Sequence, residues 1–273
     1  MTAVLAAAGI SLALALYVHQ TWVVQRTWTM LKRPSALKQD LTVVQISDVH
    51  GKTTFLNGNI SGMVNKLKPD IVCVTGDLTN HLWQLPKVLR ELGQIKCKYI
   101  FFIPGNHEWY DYIGLRQRMY TPEQYAETMR RLRQAGIVTL ENECAVVPLK
   151  GGKVAVCGYD NAFYGNEKEA RPPAKENIAY TIALGHSPNI VHFLERSGIG
   201  FDLLMAGHTH GGQIRLFGRQ HGKYGHFHIG HKQLDTNRSF YINRGLGTVL
   251  IPLRLGSRPE IAAFRVGGSR PRT

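Results

Sequence analysis

The stretch Leu41-Thr42-Val43-Val44-Gln45-Ile46-Ser47-Asp48-Val49-His50-Gly51 runs from a strand-like apolar segment straight into an Asp-x-His pair and a glycine. Near-continuous apolar runs suit strands buried on both faces. The residues that follow such a strand point into the crevice where open α/β sheets bind ligands. Downstream, helical stretches near 56–67 and 83–93 alternate with strand-like runs at Ile71–Thr75 and Tyr99–Ile103. That alternation is the βαβ pattern of an α/β sheet. Thr121-Pro122-Glu123-Gln124 opens a further helix, with Thr121 as N-cap, Pro122 in the first turn and Gln124 closing a capping box. This helix is expected to end at Gly136. Beyond it, runs at Ala145–Leu149, Val154–Gly158, Ala179–Leu184, Phe201–Met205, Phe240–Ile242 and Ile261–Val266 read as strands.

The Asp-x-His pair has four counterparts, each just after a strand-like run. They are Gly76-Asp77, Gly105-Asn106-His107-Glu108, Gly185-His186 and Gly207-His208-Thr209-His210. Singly, each is weak: Gly-Asp is usually a turn, and a lone His after Gly is usually a satisfied loop residue. Together, at strand ends about 160 positions apart, they place two Asp, one Asn and five His toward one crevice. Carboxylate, amide and imidazole without thiolate suit Mn, Fe, Zn or Co. The donors outnumber what one four-coordinate ion takes, and an Asp can bridge two cations about 3.5–4 Å apart.

The chain has 273 residues, 33 Lys and Arg against 19 Asp and Glu, and 44% hydrophobic residues. The mix is globular and excludes a disordered chain. From Arg215 to Thr273 the balance is +9 of the total +14, which favours anionic partners. Arg215 and Lys223 are candidate substrate contacts in a Gly-rich stretch that also carries His221, His226, His228 and His231. These four histidines match no standard ligand spacing. Trp109-Tyr110-Asp111-Tyr112 is expected either to line an apolar entrance or to pack. The four cysteines are too few for a disulfide scaffold and contain no CxxC; Cys73 and Cys157 read as buried, reduced thiols.

Residues 1–25 carry no charged side chain and approach spanning length. Tyr17, Trp22 and Trp28 sit at the C-terminal side, as an interfacial aromatic belt would. A cleaved signal peptide is the competing expectation, with Ala13-Leu14-Ala15 as its cleavage site. The expected organisation is a transmembrane anchor over 1–25, a basic linker over 26–40, a catalytic domain over 41–266 and a flexible tail over 267–273. Arg26, Lys32, Arg33 and Lys38 precede the first acid, Asp40, which places the domain on the cytoplasmic side.

The ordered set Asp48-x-His50, Gly76-Asp77, Gly105-Asn106-His107-Glu108, Gly185-His186 and Gly207-His208-x-His210 resembles the signature of the calcineurin-like metallophosphoesterase superfamily. Asn243-Arg244-Gly245-Leu246-Gly247 with Pro252-Leu253-Arg254 is similar to its membrane-anchored bacterial group of the YaeI/YkuE type, to which the LpxG hydrolase is similar too. The resemblance implies a four-layer αββα sandwich of two mixed sheets flanked by helices. It implies two divalent metal ions: Asp48, His50 and His210 on the first, Asn106, His186 and His208 on the second, and Asp77 between them. His107 would stand beside the substrate phosphate and stabilise or protonate the leaving oxygen.

The expected reaction is hydrolysis of a phosphodiester or pyrophosphate by a hydroxide bridging the metals. The preferred substrate is lipid-linked, such as UDP-2,3-diacylglucosamine. A nuclease or cyclic-nucleotide phosphodiesterase is the alternative, although the anchor disfavours nucleic acid as a partner. A non-catalytic binding scaffold is the second alternative. No protein partner is predicted.

Overall fold

The computed structural model describes residues 1–114, 116–160, 163–174, 178–215, 218–220 and 222–268. The chain enters through α1 (Thr2–Trp22) and β1 (Gln25–Leu31). There follow β2 (Leu41–Ile46), the short β3 (Thr54–Phe55) and β4 (Gly58–Asn59), α2 (Ile60–Asn65), β5 (Ile71–Thr75), α3 (Leu85–Leu92) and β6 (Ile100–Ile103). A hairpin of β7 (Tyr110–Ile113) and β8 (Arg116–Met119) leads into α4 (Pro122–Gln134) and β9 (Val138–Thr139). The second half holds β10 (Glu143–Leu149), β11 (Gly152–Gly158), β12 (Tyr180–Leu184), α5 (Ile190–Arg196), β13 (Leu203–Ala206), β14 (Gly230–Gln233), β15 (Ser239–Ile242) and β16 (Glu260–Val266).

Two six-stranded mixed sheets result, in the orders β1-β16-β2-β5-β6-β9 and β10-β11-β12-β13-β15-β14. In the first, β2, β5, β6 and β9 are parallel, and β16 runs antiparallel to β2. In the second, β11, β12, β13 and β15 are parallel, with β10 and β14 antiparallel at the edges. Strand periodicity sorts the core into layers. Ile71 and Cys73 of β5 join Val43, Ile182 and Phe264 between the sheets, while Val72 and Val74 turn outward to Ile60, Val88 and Leu132 of α2, α3 and α4. On the far face, Leu204 and Phe240 pack with Ile190 and Leu194 of α5. The expected αββα arrangement is therefore present. The capping box forms too, with Thr121 Oγ1 accepting from Gln124 N and Gln124 Oε1 accepting from Thr121 N.

Three expectations need correction. Gln25–Leu31, which takes in the last residue of the expected anchor and the start of the expected linker, is a strand whose seven residues pair with Glu260–Val266. Its charge suggested a linker, but Thr27-Trp28-Thr29-Met30-Leu31 has the β-branched and aromatic content of an edge strand. Trp28 packs against the outer core rather than standing in an interfacial belt. Cys157 is not a reduced thiol, because β10 and β11 place it opposite Cys144 and the two form a disulfide; Cys73 is buried and free. Of the expected tail, Gly267 donates its N–H to Leu31 O at 2.9 Å, and residues 269–273 lie outside the described residues.

Candidate metal centre

The five motif segments leave the carboxyl ends of β2, β5, β6, β12 and β13, so both sheets deliver their ligands to one edge of the sandwich. Backbone hydrogen bonds join the loops. Asp48 N donates to Gly76 O (3.1 Å), His50 N to Asp77 O (3.0 Å) and Gly207 N to His186 O (2.9 Å). Between the sheets, Gln45 Nε2 donates to Thr75 Oγ1 and to Ala206 O, both at 2.9 Å.

Asp48, His50, Asp77, His208 and His210 all have positive φ, between 46° and 68°. Left-handed backbone costs a residue with a Cβ about 1–2 kcal/mol. The strain is concentrated on five of the seven predicted ligands, and such strain persists where the surroundings over-determine a functional site. The loops also demand glycine. At Gly76, with φ of 78°, a Cβ would lie 2.5 Å from His186 Nδ1 and 2.7 Å from Gly105 Cα.

The donor atoms form two overlapping groups around Asp77. In the first, His50 Nε2 lies 3.1 Å from His210 Nε2 and 3.7 Å from Asp77 Oδ2, and His210 Nε2 lies 3.4 Å from Asp48 Oδ1. In the second, His186 Nε2 lies 3.3 Å from Asp77 Oδ2, 3.0 Å from Asn106 Oδ1 and 3.2 Å from His208 Nδ1. Donors sharing one cation at about 2.1 Å stand about 3–3.5 Å apart. The spacings and the N/O donor set therefore fit two divalent ions. The neighbours also aim the donors. His186 Nδ1 lies 2.8 Å from Thr75 O, which leaves Nε2 for the centre, and Asn106 Nδ2 donates to Tyr110 Oη at 2.8 Å, which turns Oδ1 inward.

His107 closes a third triangle with His50 and Asp77. Its backbone N–H donates to Asp77 Oδ1 at 2.8 Å, while its buried Nδ1 has no hydrogen-bond partner. The His107 ring lies 4.7 Å from those of His50 and Tyr110.

Electrostatics of the metal-free chain follow from burial and crowding. Burial raises Asp48 to about 6 against the pull of His186, and lowers His50 and His208 to about 3. Burial opposes charge on both Asp77 and His186, yet the two groups favour each other's charge. Asp77 is held well below the carboxylate range and His186 is raised to about 10. To accept a cation, His186 must therefore lose a proton, so affinity is expected to rise with pH, by about tenfold per unit around pH 7–9. Below about 6 the slope steepens, because Asp48 must deprotonate as well. Mn²⁺ titrations at several pH values check this, and a pH-independent affinity would contradict it.

Two buried groups carry roles that sequence reasoning missed. Glu108 accepts from the backbone N–H groups of Asp77 (2.9 Å), Leu78 (2.8 Å) and Gly105 (2.7 Å), tying two ligand loops together. Its signal was present: a Glu three residues after the first turn's cap reaches back to that cap. Arg254 is fully buried, donates to Gly247 O and Ser257 O, and lies 3.2 Å from His210 Nδ1. The sequence marks it only as part of the Pro252-Leu253-Arg254 motif, with no role attached.

Of the substrate candidates, Lys223 Nζ stands 5.4 Å from the Phe163 ring and 5.8 Å from that of Tyr224, and both rings approach His208. Arg215 lies apart from them in a 530 Å³ cavity with Arg219 and Arg244. His228 and His231 approach Phe240 O and Ser239 Oγ, and no metal-type cluster includes them or His226 among the described residues; His221 lies outside those residues. Trp109 packs, stacked on Tyr125 at 4.0 Å, whereas Tyr110 and Tyr112 face His107.

The family model for calcineurin-like phosphoesterases matches residues 41–212. The chain belongs to this family. It is a metal-dependent phosphoester hydrolase, with a centre suited to two divalent ions. It is 28% identical over 241 residues to the uncharacterized metallophosphoesterase YkoQ of Bacillus subtilis, covering 84% of each chain. It is also 28% identical over 249 residues to a transmembrane protein with metallophosphoesterase domain from Danio rerio, covering 84% of this chain and 54% of that one. Among solved structures, the NAD nucleotidase of Haemophilus influenzae superposes with a TM-score of 0.50 at 14% identity, over 76% of this chain and 46% of that one; this likeness concerns the fold alone.

Proposed function

We propose that this phosphoesterase cleaves a phosphodiester or pyrophosphate bond in an amphipathic, lipid-linked substrate at a membrane surface, with UDP-2,3-diacylglucosamine as the test case. The observation that carries this is α1 and where it ends. Val4–Trp22 is long and apolar enough to cross a bilayer. Val4, Leu5, Ile10, Leu12, Leu14 and Leu16 are all exposed on it. Leaving six such side chains in water forgoes roughly 9–18 kcal/mol relative to burying them. That is comparable to the whole stability of a typical domain, so a bilayer is the natural cover. The helix ends beside the centre: Thr21 Oγ1 accepts from Arg254 N at 3.1 Å, and Arg254 contacts His210.

Asp48, His50 and His210 would hold one cation, Asn106, His186 and His208 the other, and Asp77 both. When bound, the ions supply a more acidic water and positive charge against the phosphate oxygens. The chain supplies the rest. Glu108 and the strained loops fix the ligands before substrate arrives. The His107 ring stands beside the centre to give a proton to the leaving oxygen. Lys223 and the rings of Phe163 and Tyr224 offer charge and apolar surface to a head group.

We also propose that the domain faces the cytoplasm, from the basic residues after α1. The Cys144–Cys157 disulfide runs against this side, since such bonds persist mainly in oxidising compartments. Alkylation of both thiols in cells lysed directly into denaturant supports the cytoplasmic side, and resistance of both until a reductant is added overturns it.

The function is tested with the full chain in phospholipid vesicles, loaded with Mn²⁺. UDP-2,3-diacylglucosamine, bis-p-nitrophenyl phosphate, cyclic nucleotides and single-stranded DNA are compared. The lipid-linked substrate is expected to lead in kcat/KM by about a hundredfold, a difference of about 2.7 kcal/mol in transition-state binding. Faster turnover of DNA or cyclic nucleotides would replace the proposal.

A further inference from the structure

We infer that the Val249–Leu253 loop is a second membrane contact, inserted into the bilayer interface beside the end of α1. The inference rests on α1 being a membrane anchor, and three observations carry it. The first is apolar exposure: Leu250 is 71% and Ile251 54% solvent-exposed at the loop tip. Leu56, 67% exposed, adds to this beside the end of α1, its N–H donating to Trp22 O at 2.9 Å.

The second is depth. Tyr17 Oη donates to Pro252 O at 3.3 Å, and Gly256 N donates to Gln20 Oε1 at 3.0 Å. Tyr17 lies five residues before the helix end, about 7.5 Å along the axis. The loop therefore stands alongside the last turn and a half of α1 rather than above it. A 19-residue span of about 28 Å just fills a hydrocarbon core. Groups level with Trp22 then sit at the boundary of head groups and acyl chains, and the loop, held at Tyr17, reaches about 7.5 Å inside it, a depth typical of interfacial segments. Lys52 Nζ, 4.0 Å over the Trp22 ring and 2.6 Å from Thr21 O, marks the boundary at the helix end with a charge.

The third is backbone satisfaction. A loop leaving water needs its polar backbone paired. Gln213 Nε2 donates to Val249 O (3.1 Å) and Ile251 O (3.0 Å), and Gln213 Oε1 accepts from Val249 N (2.9 Å). Ile251 N donates to Val249 O and Leu253 N to Ile251 O, while Pro252 has no N–H and its carbonyl is held by Tyr17. Gln213 N donates to His210 O at 3.1 Å, so the clamp that holds the loop is also tied to the His208–His210 turn.

The test places an environment-sensitive fluorophore at Leu250→Cys in a Cys97→Ser background, in the full chain reconstituted into phosphatidylglycerol–phosphatidylcholine vesicles. Val146→Cys on β10 serves as reference. The probe at 250 is expected to be quenched by shallow spin-labelled lipid and shielded from iodide, and the probe at 146 to behave the opposite way. Leu250→Ser with Ile251→Ser should lower hydrolysis of a vesicle-embedded substrate by roughly tenfold at limiting lipid. Hydrolysis of soluble bis-p-nitrophenyl phosphate should stay within about twofold, since Gln213 holds the loop by the backbone of Val249 and Ile251, which the serine side chains leave in place. Iodide access at 250 in protein that resists carbonate extraction overturns the loop contact alone. Release by carbonate overturns the anchor itself.

Discussion

Asp77→Ala is expected to abolish metal retention and activity together, with kcat/KM falling by about a thousandfold or more. Asp77 is the one residue common to both donor groups, with Oδ2 3.7 Å from His50 Nε2 and 3.3 Å from His186 Nε2. Its other oxygen accepts the His107 N–H at 2.8 Å. Truncation therefore opens both cation sites and frees the β6 loop. Metal ions contribute several kcal/mol of transition-state stabilisation, and each 1.4 kcal/mol or so is tenfold in rate. Asp77→Asn separates the two losses. The amide oxygen can still accept from His107 N, so the loop stays in place, but the bridging charge is gone. Both variants should bind metal poorly by elemental analysis, with Asn closer to wild type in circular dichroism and thermal unfolding. Near-stoichiometric metal in an inactive Asp77→Asn enzyme would assign Asp77 a role other than bridging.

The sequence was most legible where a single physical rule decides the outcome. Continuous apolar runs such as Ile71–Thr75 became doubly buried strands, since only a central strand between two packed layers tolerates them. The ligand turns were legible because each follows such a run, and parallel strands send their carboxyl ends to the same edge. What escaped depends on pairing between distant segments. Thr27-Trp28-Thr29 has strand character, but its place beside β16 is set by residues more than 230 positions away. The disulfide hid in register. A tight turn at Lys150-Gly151 sets Leu149 opposite Gly152 and, five pairs further along the hairpin, Cys144 opposite Cys157. Two strand assignments and a turn type would have been enough to find it. The role of Arg254, a residue the sequence offered only as part of a motif, was illegible for a different reason. Its meaning is the set of carbonyls around it, and those belong to Gly247, Ser257 and His210 in three separate turns.

The left-handed backbone at the ligands lies between these cases. Asn and Asp enter that region with some ease, and Asp48 and Asp77 fit that habit. Histidine shares that enrichment, and His50, His208 and His210 follow it too. What the sequence does not announce is the concentration of this uncommon conformation at five positions around one centre, and functional sites are where such strain survives.

His107→Gln is expected to lower kcat by about 10²–10⁴-fold while leaving metal content at the wild-type level. The two halves of this residue do different work. Its backbone N–H holds Asp77 Oδ1, a contact that any residue at 107 preserves. Its ring is buried, offers an unpartnered Nδ1, and borders the first cation group through His50 at 4.7 Å. Burial lowers its pKa, with Asp77 acting in the opposite direction, so the free metal-less chain keeps the ring largely neutral near pH 7. An approaching phosphate anion favours the protonated form, which can then serve the leaving oxygen. If that proton matters, the loss on substitution must grow as the leaving group becomes more basic. An alkyl phosphodiester should suffer more than a p-nitrophenyl ester, whose anion leaves without help. KM should move by no more than about threefold, because the lost interaction belongs to the transition state. Equal losses for both leaving groups would make His107 a stabiliser of phosphate charge rather than an acid. Metal loss in step with activity would instead place its ring among the ligands, in the triangle it already forms with His50 and Asp77.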